Sequence, residues 1–233
     1  MRRWLIAIVA CLALVSAATE SRGATGHLEG YVPAVAKADG LFGSSWTTDV
    51  WIYQQGANVI HLWFNPAGRD NANNQSIVVA LEDPVVRISD IVGSFFESEG
   101  VGSVHYLADG PVTVVSRTWT VGPEGGGYGQ TIPGIPLSDA SSAGSGQGGA
   151  LRMLVDQQSD TRANLGVVNV SPVTVTVAIE IFTSNGQSAP GDSAFEISVP
   201  PFGMRQLNDI LARLPEGELG GLVVRAGVTS TEG

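Results

Sequence analysis

Apolar and polar residues alternate along much of this chain, most clearly in VTVTVAIEI at residues 173–181. Valine and isoleucine occupy the odd positions of that segment, and threonine, alanine or glutamate the even ones. Because successive side chains of a strand point to opposite faces, the segment is predicted to be a half-buried strand. Weaker versions of the pattern predict strands at residues 59–64, 76–81, 112–119 and 195–199. Short alternating strands of this kind are typical of a β-sandwich.

Two short segments depart from this period of two and have the spacing of a helix. In the later segment Asn208 is a suitable N-cap, residues 210–214 carry an apolar face, and Pro215 ends the helix. In the earlier segment Ser89 takes the cap position, ahead of the apolar residues 91–92. We therefore predict one short helix in each half of the chain.

The two helical segments belong to an internal repeat. RISDIVGSFFESEGVGSV at 87–104 aligns with QLNDILARLPEGELGGLV at 206–223, with a constant offset of 119 residues that pairs Val104 with Val223. Two glutamates recur as well: Glu97 and Glu99, then Glu216 and Glu218. Two acids in an exposed turn lack the unequal environments that separate the pKa values of a catalytic acid and base. The repeat therefore indicates a duplicated scaffold rather than a duplicated active site.

Two more blocks extend this repeat over most of the chain. Residues 47–52 align with residues 162–167, and residues 31–35 align with residues 131–135. The offset changes from 115 in the first of these blocks to 100 in the second. Such a change is expected when loops of different length join equivalent strands.

The repeat predicts an all-β chain of two tandem β-sandwich domains, residues 23–130 and residues 131–233. The second copy ends soon after Gly227, where the first copy continues through the strand at residues 112–119. We therefore expect the second domain to be truncated and to lack its last strand. If the chain ends at Gly233, the sandwich has an unpaired edge strand that predicts self-association.

The first residues have the pattern of an export signal. Two arginines precede an apolar run at residues 5–15, and small residues follow it. A run this short is typical of a signal peptide rather than a membrane-spanning helix, and we place the signal peptide at residues 1–22. An alternative is a lipid anchor at Cys11, because the residues before it resemble a bacterial lipobox. Either interpretation predicts a secreted or cell-surface protein that is not an integral membrane protein.

The composition excludes several classes of function. The chain has 12 Lys and Arg against 22 Asp and Glu, a net charge of −10, and an acidic chain repels nucleic acid and anionic lipid. Its single cysteine lies in the signal peptide, which excludes a thiol enzyme or a cysteine-ligated metal in the mature part. The histidines, His27, His61 and His105, form no zinc-binding motif, and no serine lies in a G-x-S-x-G elbow. We therefore predict no enzymatic activity.

Two groups of residues are candidates for binding. Trp51, Tyr53 and Trp63 lie in one predicted hairpin, and an aromatic strip could stack on the sugar rings of a polysaccharide. The alternative is that these rings fill the core or the interface between the domains.

Asp70, Asn71 and Asn73 supply hard oxygen ligands in a single loop, which makes calcium the one cofactor to consider. The alternative is a structural turn, because Asp and Asn are also good turn formers.

Three motifs resemble those of a known family. Arg162-Ala-Asn-Leu-Gly-Val-Val-Asn169 resembles the R-T-N-L-G-x-V-N signature of tandem Ig-like β-sandwich modules in large secreted bacterial proteins. Residues 46–52 resemble the matching entry strand of the first module, and residues 128–133 resemble the junction between modules. The resemblance covers nearly all of the chain after the signal peptide. It implies an accessory or adhesion-like role outside the cell, without catalysis. Separately from the resemblance, we expect the partner to be an extracellular protein or a polysaccharide.

Overall fold

The computed structural model describes residues 26–40, 43–122, 125–140, 151–155, 163–215 and 222–232. Most of these residues lie in antiparallel strands, which confirms the predicted all-β class. None of the described helices is long and apolar enough to cross a membrane. The predicted signal peptide with Cys11 lies outside the described residues, as do Glu216 and Glu218.

Eight strands form the first sheet: β1 (His27–Asp39), β2 (Ser45–Gln54), β3 (Val59–Pro66), β4 (Ile77–Ala80), β5 (Val85–Ile88), β6 (Gly100–Val121), β7 (Gly127–Pro133) and β8 (Ile135–Pro136). Six strands follow: β9 (Leu151–Val155), β10 (Leu165–Val168), β11 (Thr174–Thr183), β12 (Ala194–Val199), β13 (Met204–Leu207) and β14 (Leu222–Glu232). Three helical turns are described: Ile91–Phe95, Leu137–Asp139 and Ile210–Arg213.

The first sheet is organised by β6, which is 22 residues long. Its residues 102–108 pair with β3, and its residues 112–119 pair with β2. The predicted strand at residues 112–119 is therefore the second half of β6 and not a separate strand. Gly110 allows this continuity because its Cα lies against the backbone of Ala57, where a Cβ atom would approach the Ala57 nitrogen to 2.8 Å. Alternate residues of β6 face one hydrophobic core, which also takes side chains from β1, β2 and β3.

A second hydrophobic core lies among the later strands. Strands β12, β11, β14 and β9 form one sheet in that order, while β10 and β13 form a separate two-stranded sheet. The alternation predicted at residues 173–181 is present in β11, where Val175, Val177, Ile179 and Ile181 are buried. Those side chains pack in the second core against Leu222 and Val224 of β14.

Strand pairs in the two parts of the chain have equivalent register. Val50 of β2 pairs with Ile88 of β5, and Leu165 of β10 pairs with Leu207 of β13. The offsets that align these positions in the sequence, 115 and 119 residues, therefore also relate the two pairings. Strand β14 pairs with β11 as the first half of β6 pairs with β3. Among the described strands, none lies beside β10 in the place that the second half of β6 takes beside β2.

Two parts of the sequence alignment are wrong in the structure. Residues 131–135 do not begin a second unit, because β7 pairs with β6 and β8 pairs with β1 of the first sheet. In the second core β9 pairs with β14, and it thus takes the position that β1 has beside β6 in the first sheet. The pairing of Val104 with Val223 also fails, since Val104 is buried whereas Val223 is half-buried and its neighbour Val224 is buried. The buried positions of β14 are thus shifted by one residue relative to those of β6 at the offset of 119 residues.

The two helical turns that follow β5 and β13 are entered in the same way. Their N-caps are Asp90 and Asp209, with φ of 46° and 51°, and not the predicted Ser89 and Asn208. An aspartate tolerates this left-handed conformation because its short side chain can hydrogen-bond to nearby backbone groups. The usual N-cap has an extended backbone and does not need this tolerance. Each turn then places two apolar residues in the core beneath it: Ile91 and Val92, then Ile210 and Leu211.

A side-chain oxygen, of Asp49 within β2 or of Asn164 just before β10, accepts the backbone N–H of each of these caps. Asp49 Oδ1 accepts from the Asp90 nitrogen at 2.9 Å, and Asn164 Oδ1 accepts from the Asp209 nitrogen at 2.9 Å. The Asp49 carboxylate also accepts from the Arg87 guanidinium at 2.8 Å. Burial alone would raise the pKa of Asp49, but the Asp90 N–H and Arg87 outweigh burial and hold the pKa below its usual value.

Candidate functional site

Aromatic rings from three neighbouring strands stack on one another on the outer face of the first sheet. Tyr31 of β1 lies opposite His105 of β6, which lies opposite Trp63 of β3. The ring centroids are 4.6 Å apart for Tyr31 and His105 and 4.7 Å apart for His105 and Trp63. His61, two residues before Trp63, adds a fourth ring at 5.9 Å. We call these four residues the ring stack.

Polar side chains hold both histidines of the ring stack. His105 Nε2 lies 2.8 Å from Glu29 Oε1, and His61 Nδ1 lies 3.3 Å from Ser76 Oγ. Burial lowers the pKa of His105, and the Glu29 carboxylate opposes this shift only in part. Burial also raises the pKa of Tyr31, and Glu29 acts in the same direction. His105 is therefore held mainly as a neutral ring that packs, with Glu29 as its partner.

Two exposed apolar side chains lie beside the ring stack. Leu107 is 40% exposed and lies opposite Glu29 on one side and His61 on the other. Val78 is 55% exposed and lies opposite His61 on the edge strand β4. The outer face of the sheet is therefore apolar across four strands. The flat faces of its rings are largely engaged with one another, which leaves mainly ring edges to a ligand.

The three aromatic residues predicted as a platform do not come together. Among the described strands β2 and β3 do not pair, so the predicted hairpin is wrong. Trp51 lies opposite Val115 of β6, ten residues along that strand from His105, the partner of Trp63. Ten extended residues span about 33 Å. Trp63 is thus separated from Trp51 and Tyr53.

Trp51 and Tyr53 occupy neighbouring outward positions on β2. The Arg87 guanidinium lies 5.2 Å from the centre of the Trp51 ring, in a cation–π arrangement. Trp51 is half-buried, whereas Tyr53 is 42% exposed. Val85, which lies opposite Tyr53 on β5, is 44% exposed. Tyr53 therefore presents the more accessible ring of this pair.

The predicted calcium loop connects the two parts of the molecule. The Asn71 side-chain amide donates to the carbonyl oxygens of Pro66, Arg69 and Phe202, at 3.1–3.2 Å. Phe202 lies between β12 and β13, so the contact joins the first sheet to the second part of the chain. The Asn71 backbone N–H also donates to the Pro201 carbonyl oxygen at 3.0 Å. Asn71 is 5% exposed and connects the two parts of the chain. We call its contacts with Pro201 and Phe202 the clasp.

The other two predicted calcium ligands do not share the position of Asn71. Asp70 and Asn73 are exposed, and Asp70 Oδ1 accepts from the Ala72 nitrogen at 2.9 Å. That contact is an Asx turn, which shapes a loop without a metal. In the parts of the chain that the structure describes, no three His, Cys, Asp or Glu side chains are grouped as metal ligands would be.

An open depression of about 420 Å³ lies beside the first helical turn. Lys37 crosses it to contact Asp90 Oδ2 at 2.7 Å, and the exposed acids Glu97 and Glu99 lie on its rim. Asp90 also accepts from the Gly93 nitrogen and the Ser94 hydroxyl. Its carboxylate is therefore occupied in holding the helical turn.

Sequence patterns did not indicate the ring stack or the clasp. Tyr31 and His105 come together only through the register of β1, β6 and β3, and no local pattern encodes a pairing between residues 74 positions apart. The clasp depends on a contact between Asn71 and Phe202. Comparisons of the chain with protein-family models, curated proteins and solved structures gave no significant match.

Replacing Asn71 by aspartate distinguishes a clasp from a calcium ligand. Asn71→Asp removes the amide that donates to three carbonyl oxygens and sets a negative charge against them. We expect the free energy of unfolding to fall by about 2–4 kcal/mol, with or without calcium, as measured by urea denaturation. The exposed neighbour provides the control, since Asn73→Asp should change it little. A calcium-dependent gain in the stability of Asn71→Asp would instead support a metal site.

His105 should make stability dependent on pH. Because its pKa is lower in the folded protein than in the unfolded chain, the unfolded chain takes up a proton first as the pH falls through about 6.5. The free energy of unfolding should therefore be smaller at about pH 5.5 than at about pH 7.5. Glu29→Gln removes the carboxylate that favours the protonated ring and should steepen this dependence. His105→Phe should weaken it, and equal pH profiles for all three proteins would contradict the assignment.

Proposed function

We propose that this chain is an exported, non-enzymatic structural or interaction module made of two tandem Ig-like β-sandwich domains. The observation that carries the proposal is the equivalent register of β2 with β5 and of β10 with β13. The same side-chain oxygen contact holds an aspartate cap in both places. The two parts thus share a hydrogen bond that stabilises the fold. A duplicated catalytic site would instead be expected to repeat its reactive groups.

The ionisable groups of the described residues support a role without catalysis. Asp49 and Asp90 hold a helical turn, and Glu29 holds His105 within the ring stack. A catalytic acid and base need a cleft that separates their pKa values and leaves room for a substrate. Glu97 and Glu99 lie instead on the rim of an open depression, both exposed.

The expected location follows from the first residues and the net charge. Residues 1–22 have the pattern of a signal peptide, and the net charge of −10 favours solubility over binding to nucleic acid or anionic lipid. The partner we propose is an extracellular protein or polysaccharide, recognised by the outer faces or edges of the sheets. This agrees with the resemblance to tandem modules of large secreted proteins.

The distribution of tryptophan allows the two-domain organisation to be tested directly. Trp46, Trp51, Trp63 and Trp119 all lie in the first part of the chain, and no tryptophan follows residue 119. Tryptophan fluorescence therefore reports on the first domain, while far-UV circular dichroism reports on both.

Removing the cap contact should destabilise each domain separately. Asp49→Ala leaves the Asp90 N–H and Arg87 without their acceptor and should lower the stability seen by fluorescence by about 3 kcal/mol. Asn164→Ala should lower the stability of a second transition, seen by circular dichroism, by about 1–2 kcal/mol and leave the fluorescence transition nearly unchanged. A single transition that moves by the same amount with both probes in both variants would contradict two domains.

A carbohydrate-binding role is a second candidate, and the exposure of Tyr53 favours it. The exposed side chains of Tyr53 and Val85 lie next to each other on β2 and β5. A tyrosine ring beside an aliphatic side chain offers an apolar surface on which a sugar ring can stack.

The carbohydrate hypothesis predicts that binding depends on Tyr53. The protein should sediment with an insoluble polysaccharide, and Tyr53→Ala should reduce the bound fraction at least about tenfold, since one stacked ring supplies a large part of such binding. Tyr128→Ala is a matched control, because Tyr128 is 52% exposed but lies on β7. Equal binding by the two variants, or none by the unmodified protein, would remove this role.

A further inference from the structure

One face of the first sheet differs in charge from the chain as a whole, which carries a net charge of −10. Strands β2, β5 and β7 and residues 111–121 of β6 contain three charged residues, Asp49, Arg87 and Arg117. Both arginines are exposed, whereas Asp49 is buried. The side chains that these strands present to solvent therefore carry positive charge in an acidic protein.

The buried carboxylate of Asp49 does not use up the two arginines. It accepts from the Asp90 N–H and from Arg87, and the Trp119 side chain also hydrogen-bonds to it. Arg87 makes its contact through Nη2 alone, and its side chain is still 56% exposed. Arg117 lies opposite Asp49 in the register of β6 with β2, yet it forms no ion pair with any residue that the structure describes. Both guanidinium groups thus keep N–H donors for a ligand.

The two arginines lie on either side of the outward aromatic residues of β2. Arg87 of β5 lies opposite Trp51, and it is a diagonal neighbour of Tyr53 because it follows the partner of Tyr53 by two residues. On the other side of β2, Arg117 follows the partner of Trp51 by two residues of β6. Diagonal neighbours are about 7–8 Å apart, which long side chains can span. We call Trp51, Tyr53, Arg87 and Arg117 the arginine face.

We propose that the arginine face binds a polyuronate, a polysaccharide whose sugar units carry carboxylates. The inference rests on the carbohydrate-binding role of Tyr53 and adds the class of sugar that is bound. A sugar ring stacks on the exposed ring of Tyr53, and its carboxylate binds the neighbouring guanidinium of Arg87. Asp49 and the Trp51 ring hold that guanidinium in place before the ligand arrives.

The second arginine extends the site along the strand. Arg117 follows the partner of Tyr53 by four residues of β6, which is about 13 Å in an extended strand. A single sugar ring is too short to contact both residues, so Arg117 binds the carboxylate of another unit of the same polymer. A guanidinium group matches a carboxylate in shape as well as in charge.

The small number of arginines separates this ligand from a nucleic acid. DNA carries one negative charge per about 1.7 Å, and its binding draws on many phosphate contacts. A polyuronate carries one charge per sugar unit, so two arginines can pair with the charges that it places on the face. The acidic groups elsewhere on the protein act weakly on this ligand, because charges more than about 8 Å apart are largely screened at physiological ionic strength.

Polygalacturonate and its fully methyl-esterified form are matched probes, because they share one sugar backbone and only the first is charged. In affinity electrophoresis at about 0.15 M salt, the full chain should bind polygalacturonate at least about tenfold more tightly than the ester. Arg117→Gln should remove most of this preference and leave the weaker binding to the ester unchanged. Arg225→Gln is the control, since it removes the same charge from an exposed position on β14 and should change neither affinity.

The outcomes separate the ligand class from the carbohydrate role itself. Equal binding of the two polymers, abolished by Tyr53→Ala, would overturn the preference for carboxylates and keep the carbohydrate role. No binding of polygalacturonate, of its ester or of alginate, a second polyuronate, would overturn both. The proposal is also overturned if Arg117→Gln and Arg225→Gln behave alike. Equally tight binding of polyphosphate would overturn it as well, because the face would then select charge without a sugar.

Discussion

The fold around the first core depends on the bond between the Asp49 carboxylate and the Asp90 backbone N–H. Asp90 has to adopt a left-handed conformation for the chain to leave β5 and enter the helical turn, and Ile91 and Val92 reach the core only through that turn. An N–H left without an acceptor at such a partly buried point costs about as much as a hydrogen bond gives. The carboxylate on the neighbouring strand satisfies this N–H and so fixes the path of the chain.

The second core reaches the same arrangement with a neutral group. Asn164 accepts the Asp209 N–H, and no charge has to be removed from water. In the first core the buried charge of Asp49 is compensated by Arg87, and the cap Asp90 is itself paired with Lys37. Both halves therefore share the position of the accepting oxygen, and only the first half places a charge there. The ion pairs around Asp49 follow from the choice of a carboxylate there, and the exposed position of Arg87 limits what they contribute.

Local patterns predicted the class of fold and several strands, and they failed where tertiary pairing decides. The period of two at residues 173–181 depends only on which side chains face the core, and β11 follows it. The strand predicted at residues 112–119 covers only the second half of β6, because a glycine at position 110 has the same local signature in a turn and at a close backbone approach. The caps were misplaced by one residue because Asp90 and Asp209 take a conformation that the usual cap preference does not describe.

The candidate residues differ in how far sequence could assign them, for the same reason. The alternation that puts Trp51 and Tyr53 on one face of β2 holds in the structure, because it is a property of a single strand. Whether Trp63 joins them depends on which strands pair, and β6 separates the strands that the chain order brings together. Asn71 was predicted as a calcium ligand through its side-chain oxygen, and in the structure its side-chain NH2 group donates to carbonyl oxygens of both parts of the chain. The sequence shows that an asparagine lies in this loop, but only the folded position of Phe202 brings a carbonyl oxygen within reach of its NH2 group.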